Sequence, residues 1–163
     1  MYESGCNAGK GLLMNWTVLQ FSKYKGHTLP QIIFMDPDWF FWACESDLFI
    51  KRELKAEAEE LNFKARNIRI PGNNGIAEYA FKDGKFIDLE IIDESRPRHE
   101  GSTDTMRLDR IDLSIPRKAK YYDKLGYNLL ISCIKHSLFG KKNFVMTKKR
   151  AEEFFSNSDN FMD

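Results

Sequence analysis

An α+β fold is what this sequence predicts, and three features carry that reading. Residues 47–65 keep Leu48, Ile50, Leu54, Ala58, Leu61 and Ala65 at near-helical spacing, with the charges falling elsewhere. Asp83-Gly84 sits between two alternating segments, residues 77–81 and 86–92. Both central positions of a tight hairpin turn need positive φ, which these two residue types tolerate. Residues 119–138 again read as a helix, so helices stand at both ends of a hairpin-containing sheet. The expected architecture is a small strand–turn–helix module at the N-terminus, followed by a β-hairpin-containing sheet with C-terminal helices.

The elements follow in order. Residues 1–13 are polar and glycine-rich and read as a flexible tail. Residues 15–21 alternate and carry Trp, Thr, Val and Phe, which predicts a strand. After a Lys-Tyr-Lys-Gly turn, residues 29–34 read as a short helix, with Thr28 as its cap and Pro30 in the first turn. Asp36-Pro37-Asp38 is a second helix start: an aspartate to cap, a proline with φ already set, and an acid at the positive helix end. Residues 39–45 continue it as an aromatic helix, and 68–70 read as a short strand. The loop Pro71-Gly72-Asn73-Asn74-Gly75 is the best internal boundary. It divides a module over 14–71 from an α+β region over 72–163, unless the two form one continuous domain. Residues 95–105 form a polar loop and 106–115 a further strand. Gly126 weakens the middle of helix 119–138, Gly140 ends it, and residues 147–156 form the last helix.

Composition narrows the function. Of 163 residues, 42% are hydrophobic and 30% charged, the range of a folded protein able to bury a core. The net charge is only +1, but its distribution is uneven. From residue 117 to 150 there are ten Lys/Arg against one acid, while 78–112 holds ten acids against six Lys/Arg. A basic block of that kind can dock phosphates. Cys6, Cys44 and Cys133 form no CxxC pair, which supports neither a zinc ribbon nor a disulfide framework and suits a reducing cytoplasm. Cys44 and Cys133 read as small core residues. No apolar run approaches the roughly 20 residues of a membrane helix. The first residues lack the pattern of a secretory signal, so a cytoplasmic location away from membranes is expected. Gly5-Cys6-Asn7-Ala8-Gly9-Lys10-Gly11 approaches a phosphate-binding loop. It is one residue short and ends in glycine where a Mg²⁺-binding hydroxyl belongs, so no nucleotide cofactor is expected.

Lys23, Tyr24, Lys25, Gly26 and His27 form the first candidate site. Two ammonium groups flank a phenol on an exposed turn, suited to phosphates and a stacked base. Gly26 allows positive φ or a close backbone approach, and His27 can reach a phosphate. Lys141, Lys142, Lys148, Lys149 and Arg150 form the second candidate. The last three open a helix, where cations oppose the dipole, which sets a phosphate-binding role beside the plainer reading of a solvated helix face. Trp39 and Trp42 read as core.

Phe21-Ser22-Lys23-Tyr24-Lys25-Gly26, then Thr28-Leu29-Pro30, Asp36-Pro37-Asp38-Trp39-Phe40 and Trp42, resemble the C-terminal module of exodeoxyribonuclease X-like proteins. That pattern runs Phe-Gly-Lys-Tyr/His-Lys-Gly, a leucine, then Asp-Pro-x-aromatic-x-x-Trp. Such modules occur beside nuclease domains and as small stand-alone proteins of phages and mobile elements, and their implied role is nucleic-acid binding. The resemblance implies that Lys23, Tyr24, Lys25 and Gly26 form the contact loop and that Trp39 and Trp42 pack the module. Ser22 departs from the pattern, which has glycine there; at positive φ a serine is strained. The resemblance brings no nuclease domain, because too few residues precede Val18 to hold one.

The expected function is therefore a non-catalytic protein of nucleic-acid metabolism with DNA, in preference to RNA, as its partner; the oligomeric state stays open. Two alternatives stand beside it. Asp88 and Glu90 lie two apart on one strand with Glu78 on its partner, the material of a Mg²⁺ nuclease. Ile92 stands where such nucleases carry lysine, and simple alternation, with Ile87, Leu89 and Ile91 inward, also explains the acids. The other alternative is a factor acting on a host or phage protein through the aromatic segment. The histidines His27, His99 and His136 have no metal spacing and read as surface residues.

Overall fold

A computed structural model describes residues 16–73, 75–120, 123–141 and 144–163. The expected tail, the glycine-rich segment 5–11, Cys6 and Lys142 lie outside these residues. The fold is α+β. Helix α1 (Leu29–Met35) and helix α2 (Pro37–Glu45) are followed by a single turn, α3 (Leu48–Lys51), and by α4 (Lys55–Arg66). Strand β1 (Ile68–Arg69) leads into the hairpin β2 (Ile76–Lys82) and β3 (Lys85–Ile92), then β4 (Asp104–Leu108) and β5 (Arg110–Ile111). Helices α5 (Lys124–Phe139) and α6 (Lys148–Ser156) complete the chain. The antiparallel sheet has the order β3-β2-β4, and β1 pairs separately with β5.

Local signals account for most boundaries. Asp36 caps α2 by accepting from the Trp39 N–H at 3.3 Å, with Pro37 at the first helical position. Asp83 and Gly84 have φ of 52° and 83°, both positive as the hairpin turn demands. Gly140 ends α5 at φ 79°. Thr28 precedes α1, but its buried hydroxyl makes no capping bond. Gly126, expected to weaken the middle of α5, sits instead in its first turn. There its N–H meets the capping carboxylate of Asp123 at 2.8 Å, and a Cβ would fall 1.9 Å from that carboxylate.

Elsewhere packing overrode the local pattern. The expected strand over 15–21 is reduced, in its described part, to one bridge between Val18 and Thr28. Trp16 and Leu19 are both buried three residues apart, so the segment does not alternate, and it has no ladder to join. The expected helix over 47–65 breaks between α3 and α4, where Glu53 takes φ 60°. The break rotates α3 so that Phe49 is buried and Ile50, expected in the core, is 51% exposed. The strand expected over 106–115 is divided at Asp109, and Leu113 and Ile115 enter the core from a turn and from the start of a 3-10 helix, not from a strand.

One hydrophobic cluster runs through both sides of the Pro71-Gly75 loop, from Leu29, Phe34, Phe40 and Phe41 to Tyr79, Leu130, Ile134 and Phe155. Phe34 meets Phe139, Phe154 and Phe155 at ring-centroid distances of 5.4–5.8 Å, which seats α1 on α6. Residues 68 and 67 hold the C-terminal segment through an Ile68–Phe161 bridge and a Met162 N–H to Asn67 carbonyl bond of 2.8 Å.

Candidate functional site

The loop over 22–27 is closed by its own peptide groups. The Lys25 N–H donates to the Ser22 carbonyl at 3.2 Å, the His27 N–H to the Tyr24 carbonyl at 3.0 Å, and the Gly26 N–H to the Leu19 carbonyl at 2.8 Å. Gly26 has φ 89° and Ser22 has φ 68°. The glycine expected from the resemblance is thus what the backbone at residue 22 favours. Serine is held there because its Oγ accepts from the Tyr24 N–H at 3.0 Å. Ser22→Ala keeps the strained φ and removes that bond, so it will destabilise by about 1 kcal/mol in urea unfolding. Ser22→Gly relieves φ in exchange for the bond and will destabilise less. The reverse order would contradict this account.

Tyr24 departs from expectation. It is half-buried, with Trp39 at 5.0 Å and His27 at 6.1 Å edge-on and the Lys23 ammonium 5.1 Å from its ring centre. Its hydroxyl donates to Asp36 Oδ2 at 2.5 Å. Asp36 is 7% exposed and also accepts from the Tyr127 hydroxyl at 2.6 Å and Lys120 Nζ at 3.1 Å, with Lys23 Nζ at 3.5 Å. Its neighbour Asp38 pairs with Arg117 Nε and Lys120 Nζ, both at 3.2 Å, and Arg117 turns its other nitrogens to Glu45 at 2.5 and 3.0 Å. Burial alone would raise the Asp36 carboxyl; bonds from Tyr127, Tyr24 and Lys120 and the Lys120 charge outweigh it and hold the group below the usual carboxylate range. Burial, then the Asp36 contact, raise both phenols. The Asp-Pro-Asp motif therefore does more than start a helix: it joins the lysine loop to α5 and the segment before it.

The basic block is divided by this network. Arg117 and Lys120 are committed inward. Lys141, Lys148, Lys149 and Arg150 are exposed around the start of α6, which Thr147 caps. Lys149 lies 3.8 Å from Glu153, and Arg150 donates to the Val145 carbonyl at 2.9 Å while covering the Phe144 ring. In the loop, Lys23 and Lys25 are exposed, and His27 is half-buried with Nδ1 3.3 Å from the Tyr24 carbonyl. No hydrogen bond or ion pair among the described residues joins residues 23–27 to 141–150. Of the two tryptophans expected in the core, Trp39 is half-buried and Trp42 is 49% exposed. Cys133 is buried, and burial pushes the half-buried Cys44 thiol up to about 11.

The three carboxylates of the sheet lie on one face, with Glu78 opposite Glu90 and Asp88 opposite Ala80. They do not stand open to water as alternation suggests. The loop over 93–103 folds back on them, placing Arg96 2.7 Å from Glu90 and His99 3.8 Å from Asp88. Glu78, 2% exposed, is held by Arg107 at 2.8 Å, and Arg107 also donates to the carbonyls of Glu94 and Arg96 at 3.3 and 2.6 Å. Leu89 is buried as read, but Ile91 is exposed. Among the described residues no group of three His, Cys, Asp or Glu is arranged to hold a metal ion. No helix there is long and apolar enough to cross a membrane. Tyr127 and Arg107 were not signalled by any local pattern, and Arg117 and Lys120 only as members of the basic block; Tyr127, Lys120 and Arg117 lie 79–91 residues from the aspartates they meet. Comparison of the chain with protein-family models, curated proteins and solved structures returns no match.

Proposed function

We propose that this chain is a non-catalytic nucleic-acid-binding protein, with DNA as its ligand, that holds the phosphate backbone through the loop over 22–27. The observation that carries the reading is the construction of that loop. Its N–H groups and the Tyr24 hydroxyl are bonded inward, while Lys25 is exposed and Lys23, although 3.5 Å from Asp36, keeps its side chain 61% exposed. A loop fixed in this way presents two ammonium groups with little backbone entropy left to lose on binding. The likeness of residues 18–42 to the exodeoxyribonuclease X-like module supports the same reading. Lys141, Lys148, Lys149 and Arg150 are a second exposed set for the same backbone chemistry. Glu78, Asp88 and Glu90 are engaged by Arg107, His99 and Arg96, and so lend nothing to a metal-nuclease reading.

The test is a gel-shift titration against single-stranded and duplex DNA over a range of salt. Wild-type affinity will fall steeply with salt, and Lys23→Gln/Lys25→Gln will bind more weakly. For single strands the slope of log affinity against log salt will be shallower by about 1.4, two contacts at ~0.7 each. No affinity at low salt, or an unchanged slope in the double variant, would falsify the proposal.

A further inference from the structure

The second tryptophan of α2 is placed for a role that packing does not explain. Tyr24, Trp39 and Trp42 form a continuous line of rings, with centroid distances of 5.0 Å and then 6.5 Å. The line starts under the Lys23 ammonium, 5.1 Å from the Tyr24 centre, and ends on Trp42, which is 49% exposed. Trp39 also packs edge-on against Phe49 at 6.0 Å and is tilted 48° to the Trp42 indole. The treatment of other rings here is different. Arginine guanidiniums cover Phe21, Phe41 and Phe144 at 4.5–4.7 Å. Trp is the best acceptor for such a cation, yet none covers Trp42 among the described residues.

We infer that Trp42 is a stacking platform for an unpaired base, and that the ligand of this surface is single-stranded nucleic acid. The inference rests on the phosphate-binding reading of the lysine loop and sharpens it. Lys23 takes a phosphate at one end of the aromatic line and Trp42 takes a base at the other. Tyr24, whose hydroxyl is held by Asp36 and whose ring is hemmed by Trp39, His27 and Lys23, anchors the loop. A base can lie on the indole only if its face is free. In a duplex the faces are stacked on neighbouring pairs and only edges are presented, so the platform selects single strands.

The experiment is a titration of the full chain with a short oligothymidylate, read by tryptophan fluorescence and by anisotropy of a labelled strand, with a duplex of equal length alongside. The expected result is quenching on binding and tighter binding of the single strand than of the duplex. Trp42→Ala will weaken oligothymidylate binding roughly 5- to 150-fold, the range for one lost base–aromatic stack. Trp42→Phe will retain much of the affinity but lose most of the quench, because Trp16 is buried, Trp39 is half-buried and Trp42 is the most exposed of the three. Melting curves of both variants establish that they are folded. Binding of oligothymidylate that is equally tight and equally quenched in Trp42→Ala overturns the platform and leaves the lysine loop standing. Equal affinity for duplex and single strand overturns the selection. Absence of binding in the wild-type chain removes both the platform and the phosphate-binding reading beneath it.

Discussion

Asp36→Asn will lower stability by about 3 kcal/mol, and the melting temperature by roughly 6–12 °C at ~2–4 °C per kcal/mol for a chain of this size. Asparagine keeps the shape and still caps α2. It cannot replace an acceptor that serves two phenols, two ammonium groups and a peptide N–H at once. Each phenol now bonds a charged oxygen, worth about 1.5–3 kcal/mol, and at most part of this survives with an amide. The effect will depend on pH with a definite sign. The Asp36 carboxyl is held below its ordinary value of 3.8 in the folded chain. A depressed acid stabilises the fold fully above its unfolded value and loses that contribution as pH falls through the folded one. The gap between wild type and Asp36→Asn will therefore be constant from neutrality to about pH 5 and will shrink below about pH 4. Thermal melts of both proteins across that range measure it. A gap below about 1 kcal/mol at neutral pH, or one that does not shrink in acid, would show that the phenol network is incidental.

Removing the guanidinium at residue 107 will be of similar or larger effect. Glu78 lies on the central strand of the sheet at 2% exposure, and Arg107 is the cation that meets it. Its Oε1 already lacks a hydrogen-bond partner. Arg107→Ala leaves a buried carboxylate without a counter-charge, a change that costs about 3–5 kcal/mol. It also releases the carbonyls of Glu94 and Arg96, so the loop over 93–103 will become a site of faster proteolysis. Adding Glu78→Gln to Arg107→Ala will recover part of the loss in urea unfolding, because a neutral amide needs no partner charge. If the two changes simply add, or if Arg107→Ala costs less than about 1 kcal/mol, the pair is not what holds the loop to the sheet.

These two sites were legible in the sequence to different degrees. Asp36 was visible as a helix cap, since a cap is defined by residues within one turn. Its other role depends on Tyr24, Lys120 and Tyr127, which no spacing rule connects to it. The hairpin followed from Asp83-Gly84, but that turn alone would set Glu78 opposite Leu89; a bulge between Ala80 and Phe81 shifts the register by one and brings Glu78 opposite Glu90. That Arg107, Arg96 and His99 would close over those acids depended on how a turn-rich loop folds back.

What the sequence by itself determined is the set of local decisions: the Asp36-Pro37 start, the turn at Asp83-Gly84 and the stop at Gly140. Each rests on sterics or hydrogen bonds within a few residues, and those act in any context. Tertiary structure alone decided that residues 16–21 form no strand, that the helix over 47–65 breaks at Glu53, that Tyr24 turns inward and that Trp42 stays out. Those outcomes depend on which surfaces meet. Phe34, Phe40 and Phe41 fill the core, Tyr24 is drawn in by a buried carboxylate, and Trp42 is left on the surface.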